Sequence, residues 1–145
     1  MNVSGINHIV LKVRNLAASD AFYREMLGLQ LVGKRGRMWF YSAGEHTHDL
    51  ALLEIGTKGI IPTVEHTGLF HLCFDVPNED ALRRLYRKLR AAGARVSDGV
   101  DHIVMHSFYV HDPDGHMIEL GVDLPKEQWT NKENPFVDDY EYELG

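Results

Sequence analysis

The feature that most constrains the fold is an internal repeat. The segment 6–11 (INHIVL) is matched by 69–74 (LFHLCF), and the segment 52–56 (LLEIG) is matched by 117–121 (MIELG). Each half therefore reads as a strand that carries a His, a helix, and further strands that end in a Glu. Equivalent residues of a repeat occupy symmetry-related positions. The sequence thus predicts two similar modules in tandem.

Two His and two Glu occupy matched positions in the two modules. They are His8, His71, Glu54 and Glu119. Side chains alternate between the two faces of a strand, so a His or Glu that alternates with apolar residues points away from the helix-packed face. Imidazole nitrogens and carboxylate oxygens are ligands of divalent metal ions. The repeat therefore predicts a divalent-metal site.

The first half predicts the element order βαβββ. Residues 6–13 alternate as a strand does, and Asn15 is suited to cap a helix that Gly28 ends. Three more strands are predicted over residues 29–32, 37–41 and 49–55.

The second half repeats this order after a linker over 57–67. A strand over 69–76 leads to a helix that Asn78 caps and Gly93 ends. Further strands are predicted over residues 95–97, 107–111 and 116–121. The charged tail over 123–145 has no strong period, and we expect it to be mostly irregular. The prediction is a single α+β domain over 1–145, with module one over 5–56 and module two over 68–122.

A turn over 112–115 (DPDG) predicts the register of the last hairpin. In such a hairpin, residues whose numbers have the same sum pair with each other. Tyr109 then pairs with Glu119, with Cβ atoms about 5 Å apart on the same face. The Tyr109 phenol is thus predicted beside the metal site.

Charge and composition narrow the class of partner. The net charge of −6 and the pI of about 5.8 disfavour nucleic acid and anionic membrane, because both need a basic face. No apolar run is long enough to span a bilayer and no signal peptide is visible, so a small molecule is the expected partner. One cysteine excludes an internal disulfide, and we expect a cytoplasmic protein.

Three motifs resemble those of the vicinal oxygen chelate superfamily. They are INHIVL over 6–11, AFYREMLGL over 21–29 and DPDGHMIEL over 112–120. The superfamily includes glyoxalase I, extradiol dioxygenases, fosfomycin-resistance enzymes, methylmalonyl-CoA epimerase and bleomycin-binding proteins. The resemblance covers residues 5–124 and implies a curved, partly open, barrel-like sheet.

The resemblance implies that His8, His71 and Glu119 hold the metal. Such a trio leaves coordination positions open, as Fe(II) or Mn(II) needs for oxygen chemistry. A substrate with two neighbouring oxygens would then chelate the metal.

Three further residues resemble those of extradiol dioxygenases. His48 matches the His that handles oxygen or a substrate proton, and His102 and Tyr109 match the second His and the Tyr that hold the substrate oxygen. The stretch 122–129 also resembles the segment that follows the Glu ligand in catechol-cleaving relatives. Many such enzymes carry four modules whereas this chain has two, and we expect a homodimer.

Three alternatives remain open. In a glyoxalase-type isomerase or epimerase, Glu54 would be a fourth ligand and Ni(II), Co(II) or Zn(II) would serve. His48 and Glu54 are six residues apart, about 20 Å along an extended strand, so without a bulge both cannot touch one metal. The second alternative is a non-catalytic module that binds a drug-like ligand, for which an intact His/His/Glu trio would be unnecessary. The third is a fosfomycin-modifying transferase, although the sequence shows no convincing basic cluster for a phosphonate.

Overall fold

The computed structural model describes residues 2–145, which divide into a unit that ends at His66 and a second unit over Thr67–Gly145. Both units contain the predicted order βαβββ, to which the second unit adds one short strand, so the predicted α+β class with tandem βαβββ modules is confirmed. The first unit contains β1 (Ile9–Val13), α1 (Leu16–Asp20), a π-helical segment (Ala21–Met26), β2 (Gln30–Arg35), β3 (Met38–Ser42) and β4 (Leu50–Glu54). The second contains β5 (His71–Asp75), α2 (Glu79–Ala91), β6 (Gly99–Asp101), β7 (Met105–His111), β8 (Met117–Asp123), a 3-10 turn (Lys126–Gln128) and β9 (Tyr140–Tyr142). Within residues 2–145, no helix has the length and apolar character needed to cross a membrane.

The first sheet has the strand order β1-β4-β3-β2. β1 runs parallel to β4, with Ile9 opposite Leu50 and Val13 opposite Glu54, and the other pairs are antiparallel. β1 is shorter than predicted because its pairing with β4 begins only at Ile9, and Ile6 is 82% exposed. The core of this unit includes Val13, Tyr23, Tyr41, Leu50 and Leu52.

The first helix differs from the prediction in its second half. Asn15 caps it as predicted, because its side chain accepts a hydrogen bond from the Ala18 backbone N–H at 2.9 Å. From Ala21 the helix widens to π geometry, and Leu27 N–H donates to the Phe22 carbonyl. Phe22 and Tyr23 of this segment are both buried, whereas its π geometry has no signal in the sequence.

The second sheet has the strand order β5-β8-β7-β6-β9, with β5 parallel to β8. Asn78 caps α2 as predicted, since its side chain accepts from the Ala81 N–H at 3.0 Å. Leu82 and Leu89 of α2 are fully buried, each worth about 1.5–3 kcal/mol relative to exposure. α2 therefore covers one face of the sheet and leaves the other for polar side chains.

Two predictions for this unit are confirmed only in part. The strand predicted over 95–97 is only an isolated bridge between Val96 and Val110, and the paired strand β6 lies at Gly99–Asp101. The tail is mostly irregular as expected, but it also contains β9, which pairs antiparallel with β6, and Leu144 is buried. A three-residue edge strand is too short to give a readable period, so the sequence did not reveal it.

Candidate functional site

His71 and Glu119 form the centre of the site in the second unit. They lie on the neighbouring strands β5 and β8, and His71 Nε2 is 3.1 Å from Glu119 Oε2. Two ligands at right angles around one metal, each about 2.1 Å from it, lie about 3.0 Å apart. This pair of donor atoms therefore fits two adjacent positions of a divalent metal.

The Glu119 carboxylate is 5% exposed, and it is surrounded by polar partners. Besides His71, His102 Nε2 lies 3.3 Å from Glu119 Oε1. A buried carboxylate is stable only when charges or hydrogen bonds compensate its lost hydration. His71 Nε2 can supply such a hydrogen bond, and a cation bound between this nitrogen and the carboxylate would compensate the charge instead.

The ring of His71 is oriented by aromatic packing. Its centroid is 5.6 Å from that of Tyr109 and 5.4 Å from that of Phe70. In the part of the chain that the structure describes, His71 Nδ1 is a buried atom without a hydrogen-bond partner. The polar interaction of His71 is therefore made by Nε2, which faces Glu119.

Tyr109 pairs with Glu119 between β7 and β8, and the predicted hairpin register is confirmed. Its hydroxyl is 3.1 Å from His102 Nε2. Burial, followed by the negative charge of Glu119, raises the pKa of Tyr109 above its ordinary value. The phenol consequently stays protonated at neutral pH and is available as a hydrogen-bond donor.

His102 is presented by a tight turn between β6 and β7. The next residue, Ile103, is buried and has a φ of 70°, which is costly for a β-branched residue. The turn is held by the Ile103 N–H, which donates to Asp101 Oδ1 at 2.7 Å, and by the His102 N–H, which donates to the Met105 carbonyl at 2.9 Å. A strained turn that is held by two hydrogen bonds thus orients the His102 side chain toward Tyr109 and Glu119.

Sequence reasoning missed two neighbours of this site. Asp139 of the tail lies 2.5 Å from His102 Nδ1, and no motif indicated this contact. Cys73 pairs with Glu119 in the parallel ladder, and loss of hydration around its sulfur together with the Glu119 charge raises the pKa of Cys73 to about 12. The alternation of β5, which places Cys73 on the same face as His71, was the available signal for the cysteine.

His8 and His48 lie together in the first unit. Their ring centroids are 4.4 Å apart, and His8 Nδ1 is 2.8 Å from the Asn7 side-chain oxygen. The edge of Phe40 also packs against His48 at 5.4 Å. His8 and His48 thus form a second local cluster of imidazoles, at the end of the parallel pair where β1 begins.

Glu54 lies at the other end of that parallel pair. It is opposite Val13, five residues along β1 from His8, which corresponds to about 16 Å in extended chain. Its carboxylate accepts a hydrogen bond from the Leu16 backbone N–H at 2.8 Å. This contact satisfies a free donor in the first turn of α1 and favours a helix-capping role for Glu54.

The structure thus brings His71, His102, Tyr109 and Glu119 together and separates Glu54 from His8. Among the described residues, no group of three or more His, Cys, Asp or Glu side chains is arranged to hold a metal ion. The ligand set of His8, His71 and Glu119 stays a prediction.

The chain belongs to the Glyoxalase/Bleomycin resistance protein/Dioxygenase superfamily, whose sequence profile matches residues 5–120. This finding confirms the resemblance stated above. Members of the superfamily use divalent metals, bind small-molecule substrates and commonly form oligomers.

Individual relatives carry different activities. The chain is 31% identical over 133 residues to a catechol-2,3-dioxygenase of Bacillus subtilis (strain 168), covering 91% of this chain and 46% of the relative. It is 34% identical over 117 residues to biphenyl-2,3-diol 1,2-dioxygenase 3 of Rhodococcus globerulus, covering 80% and 62%. A crystal structure of lactoylglutathione lyase from Agrobacterium tumefaciens matches with a TM-score of 0.64 and 25% identity over 84% of this chain and 96% of that one. The chain therefore spans about half the length of the catechol dioxygenase and somewhat more of the biphenyl-diol enzyme.

Proposed function

We propose that this protein is a divalent-metal-dependent dioxygenase of the extradiol type that cleaves a catechol-like aromatic. The observation that carries the proposal is the convergence of Tyr109 and His102 beside the Glu119 carboxylate. A catechol that chelates a metal loses a proton from one oxygen. It therefore needs a base for that proton and a hydrogen-bond donor for the ionised oxygen. An isomerase that relies on a carboxylate base has no evident use for this Tyr–His pair.

The proposed metal ligands are His8, His71 and Glu119. The geometry of His71 and Glu119 supports two of them, and His8 completes the set because it is the repeat-matched partner of His71. Fe(II) or Mn(II) bound there would polarise two vicinal substrate oxygens and supply a redox-active centre for dioxygen.

Tyr109 and His102 would promote ionisation of the substrate oxygen. The protonated phenol of Tyr109 can donate a hydrogen bond to an ionised oxygen, and this donor is strongest when its acceptor carries charge. His102, whose Nε2 lies 3.1 Å from the Tyr109 hydroxyl, would accept the proton that the substrate oxygen releases on ionisation. The two residues would therefore favour the ionised substrate over the neutral one.

His48 is proposed as a second acid or base, which handles oxygen or a substrate proton. Its ring is held by the edge of Phe40 and lies beside His8, so it is oriented before substrate arrives. A histidine is suited to this role because its ordinary pKa lies near neutrality.

Two further properties complete the proposal. A homodimer is proposed because relatives commonly form oligomers, and a reducing compartment such as the cytoplasm is proposed because the chain has one cysteine. The acidic net charge fits a small-molecule substrate better than nucleic acid.

The deciding experiment combines metal analysis with oxygen uptake. Protein prepared without oxygen should hold one Fe or Mn per chain and consume one dioxygen per catechol from a panel of substituted catechols. If the same protein converts a hemithioacetal and consumes no oxygen with any catechol, the dioxygenase proposal is wrong.

A glyoxalase-type isomerase is the second candidate. It is favoured by the likeness to the lactoylglutathione lyase, which this chain covers almost completely. Against it stands the hydrogen bond between Glu54 and the Leu16 N–H, since a four-ligand site needs the Glu54 carboxylate on the metal. A non-catalytic binding module is a third possibility, and the absence of turnover with every substrate would favour it.

A further inference from the structure

The C-terminal tail brings a carboxylate to the site. The Asp139 carboxylate lies 2.5 Å from Nδ1 of His102, and the other ring nitrogen of His102 faces Tyr109 and Glu119. Asp139 is beyond residues 5–120, where the superfamily profile matches. The contact is thus supplied by a segment that the superfamily profile does not cover.

Specific contacts hold the tail in this position. The Tyr142 hydroxyl donates to Glu79 Oε2 at 2.6 Å and accepts from Arg83 at 2.9 Å, while its ring stacks on His106 at 3.8 Å. The β9 backbone also approaches β6 so closely that a Cβ on Gly99 would lie 2.3 Å from the Tyr142 carbonyl oxygen. The placement of Asp139, which immediately precedes β9, is therefore set by contacts on several elements.

Two carboxylates compete for the ring proton of neutral His102. Asp139 is 2.5 Å from Nδ1, whereas Glu119 is 3.3 Å from Nε2. The hydrogen bond at one nitrogen of a histidine determines which nitrogen carries the proton. The shorter contact favours a proton on Nδ1, with a lone pair on Nε2 for the Tyr109 hydroxyl.

We infer that Asp139 is a positioning residue, which holds His102 in the Nδ1–H tautomer. In this tautomer Nε2 can accept from Tyr109, and His102 does not donate to the Glu119 carboxylate. Without Asp139, the proton moves to Nε2, where it faces Glu119. His102 then donates to Glu119 and no longer accepts from Tyr109. This inference deepens the proposed function and rests on it for its catalytic consequence, but the tautomer itself does not.

The test is a direct reading of the tautomer in metal-free protein. Long-range proton–nitrogen correlation spectra of isotope-labelled protein distinguish the two nitrogens, and His102→Gln identifies the His102 signals by their loss. The spectra are read under conditions in which the His102 nitrogen shifts themselves report a neutral ring. Parent protein should show the Nδ1–H form, and Asp139→Ala should shift His102 to the Nε2–H form.

The matched control is Asp138→Ala, which removes the same charge one residue earlier. It should leave the His102 tautomer unchanged. If Asp139→Ala keeps the Nδ1–H form, or Asp138→Ala changes it equally, the inference is wrong.

Kinetics separate this inference from the proposed function. With an active catechol, Asp139→Ala should lower kcat about tenfold at unchanged metal content, in line with the loss of a carboxylate that orients a histidine, while Asp138→Ala stays near the parent. If no catechol is turned over, the dioxygenase proposal fails and the spectra still decide the role of Asp139. A normal kcat in a variant that has lost the tautomer overturns the positioning role.

Discussion

Removal of one hydroxyl, in Tyr109→Phe, tests the site most directly. The ring of Tyr109 packs edge-on against His71 at 5.6 Å, and phenylalanine preserves this packing. The variant therefore loses only the donor, which lies 3.1 Å from His102 Nε2. Fold and metal content should stay at the parent level.

The expected loss follows from the energy of that donor. A hydrogen bond to a charged group contributes about 1.5–3 kcal/mol. A loss of this size in the transition state corresponds to a fall in kcat/KM of about tenfold to about a hundredfold. Burial and the Glu119 charge keep the phenol protonated, so the full donor is present in the parent at neutral pH.

The assay is oxygen uptake with an active catechol, at matched metal content. Tyr140→Phe is the control, because Tyr140 is 52% exposed in the tail and removal of its hydroxyl should leave kcat/KM within about twofold of the parent. If Tyr109→Phe equals the parent on every active catechol, the hydroxyl has a structural role only and the case for ring cleavage loses its main support.

Three other outcomes are expected. His71→Ala should lose bound metal and keep the fold, which elemental analysis and circular dichroism check, and unchanged metal would contradict the ligand role. Glu54→Gln should retain Fe(II) and oxygen uptake while His48→Ala loses turnover, whereas a glyoxalase-type site would show the reverse in a hemithioacetal assay. The hydrogen bond to Asp112 raises the pKa of His116, so its stabilisation is full below about pH 6.5 and is lost as the pH rises through the raised value. His116→Gln should thus cost more stability at about pH 5.5 than at about pH 8.5 in urea denaturation, and an equal cost at both would refute the reasoning.

Strand parity and turn chemistry made part of the site readable from the sequence. Two-residue alternation predicted that His71 and Glu119 avoid the apolar face, and the turn over 112–115 predicted the pairing of Tyr109 with Glu119. These rules are local and have a fixed period, so one sequence is enough to apply them.

The contacts of His102 and Asp139 were not readable in the same way. The turn at Ile103 has a positive φ that its residue type disfavours, so no propensity indicates it. The contact between His102 and Asp139 spans 37 residues and depends on a three-residue strand. Long-range contacts of this kind are set by tertiary packing and leave no periodic signal.

The short strand β9 also has a consequence for solubility. Without β9, β6 would be the edge of the second sheet and would present a row of unpaired backbone N–H and C=O groups. Such an open edge is a template for pairing with another chain, and proteins protect it with short, charged or covered strands. β9 has only three residues and carries the charged Glu141 at its centre, so another chain pairs with it poorly. Loss of the last residues would expose the β6 edge and would promote self-association at higher concentration.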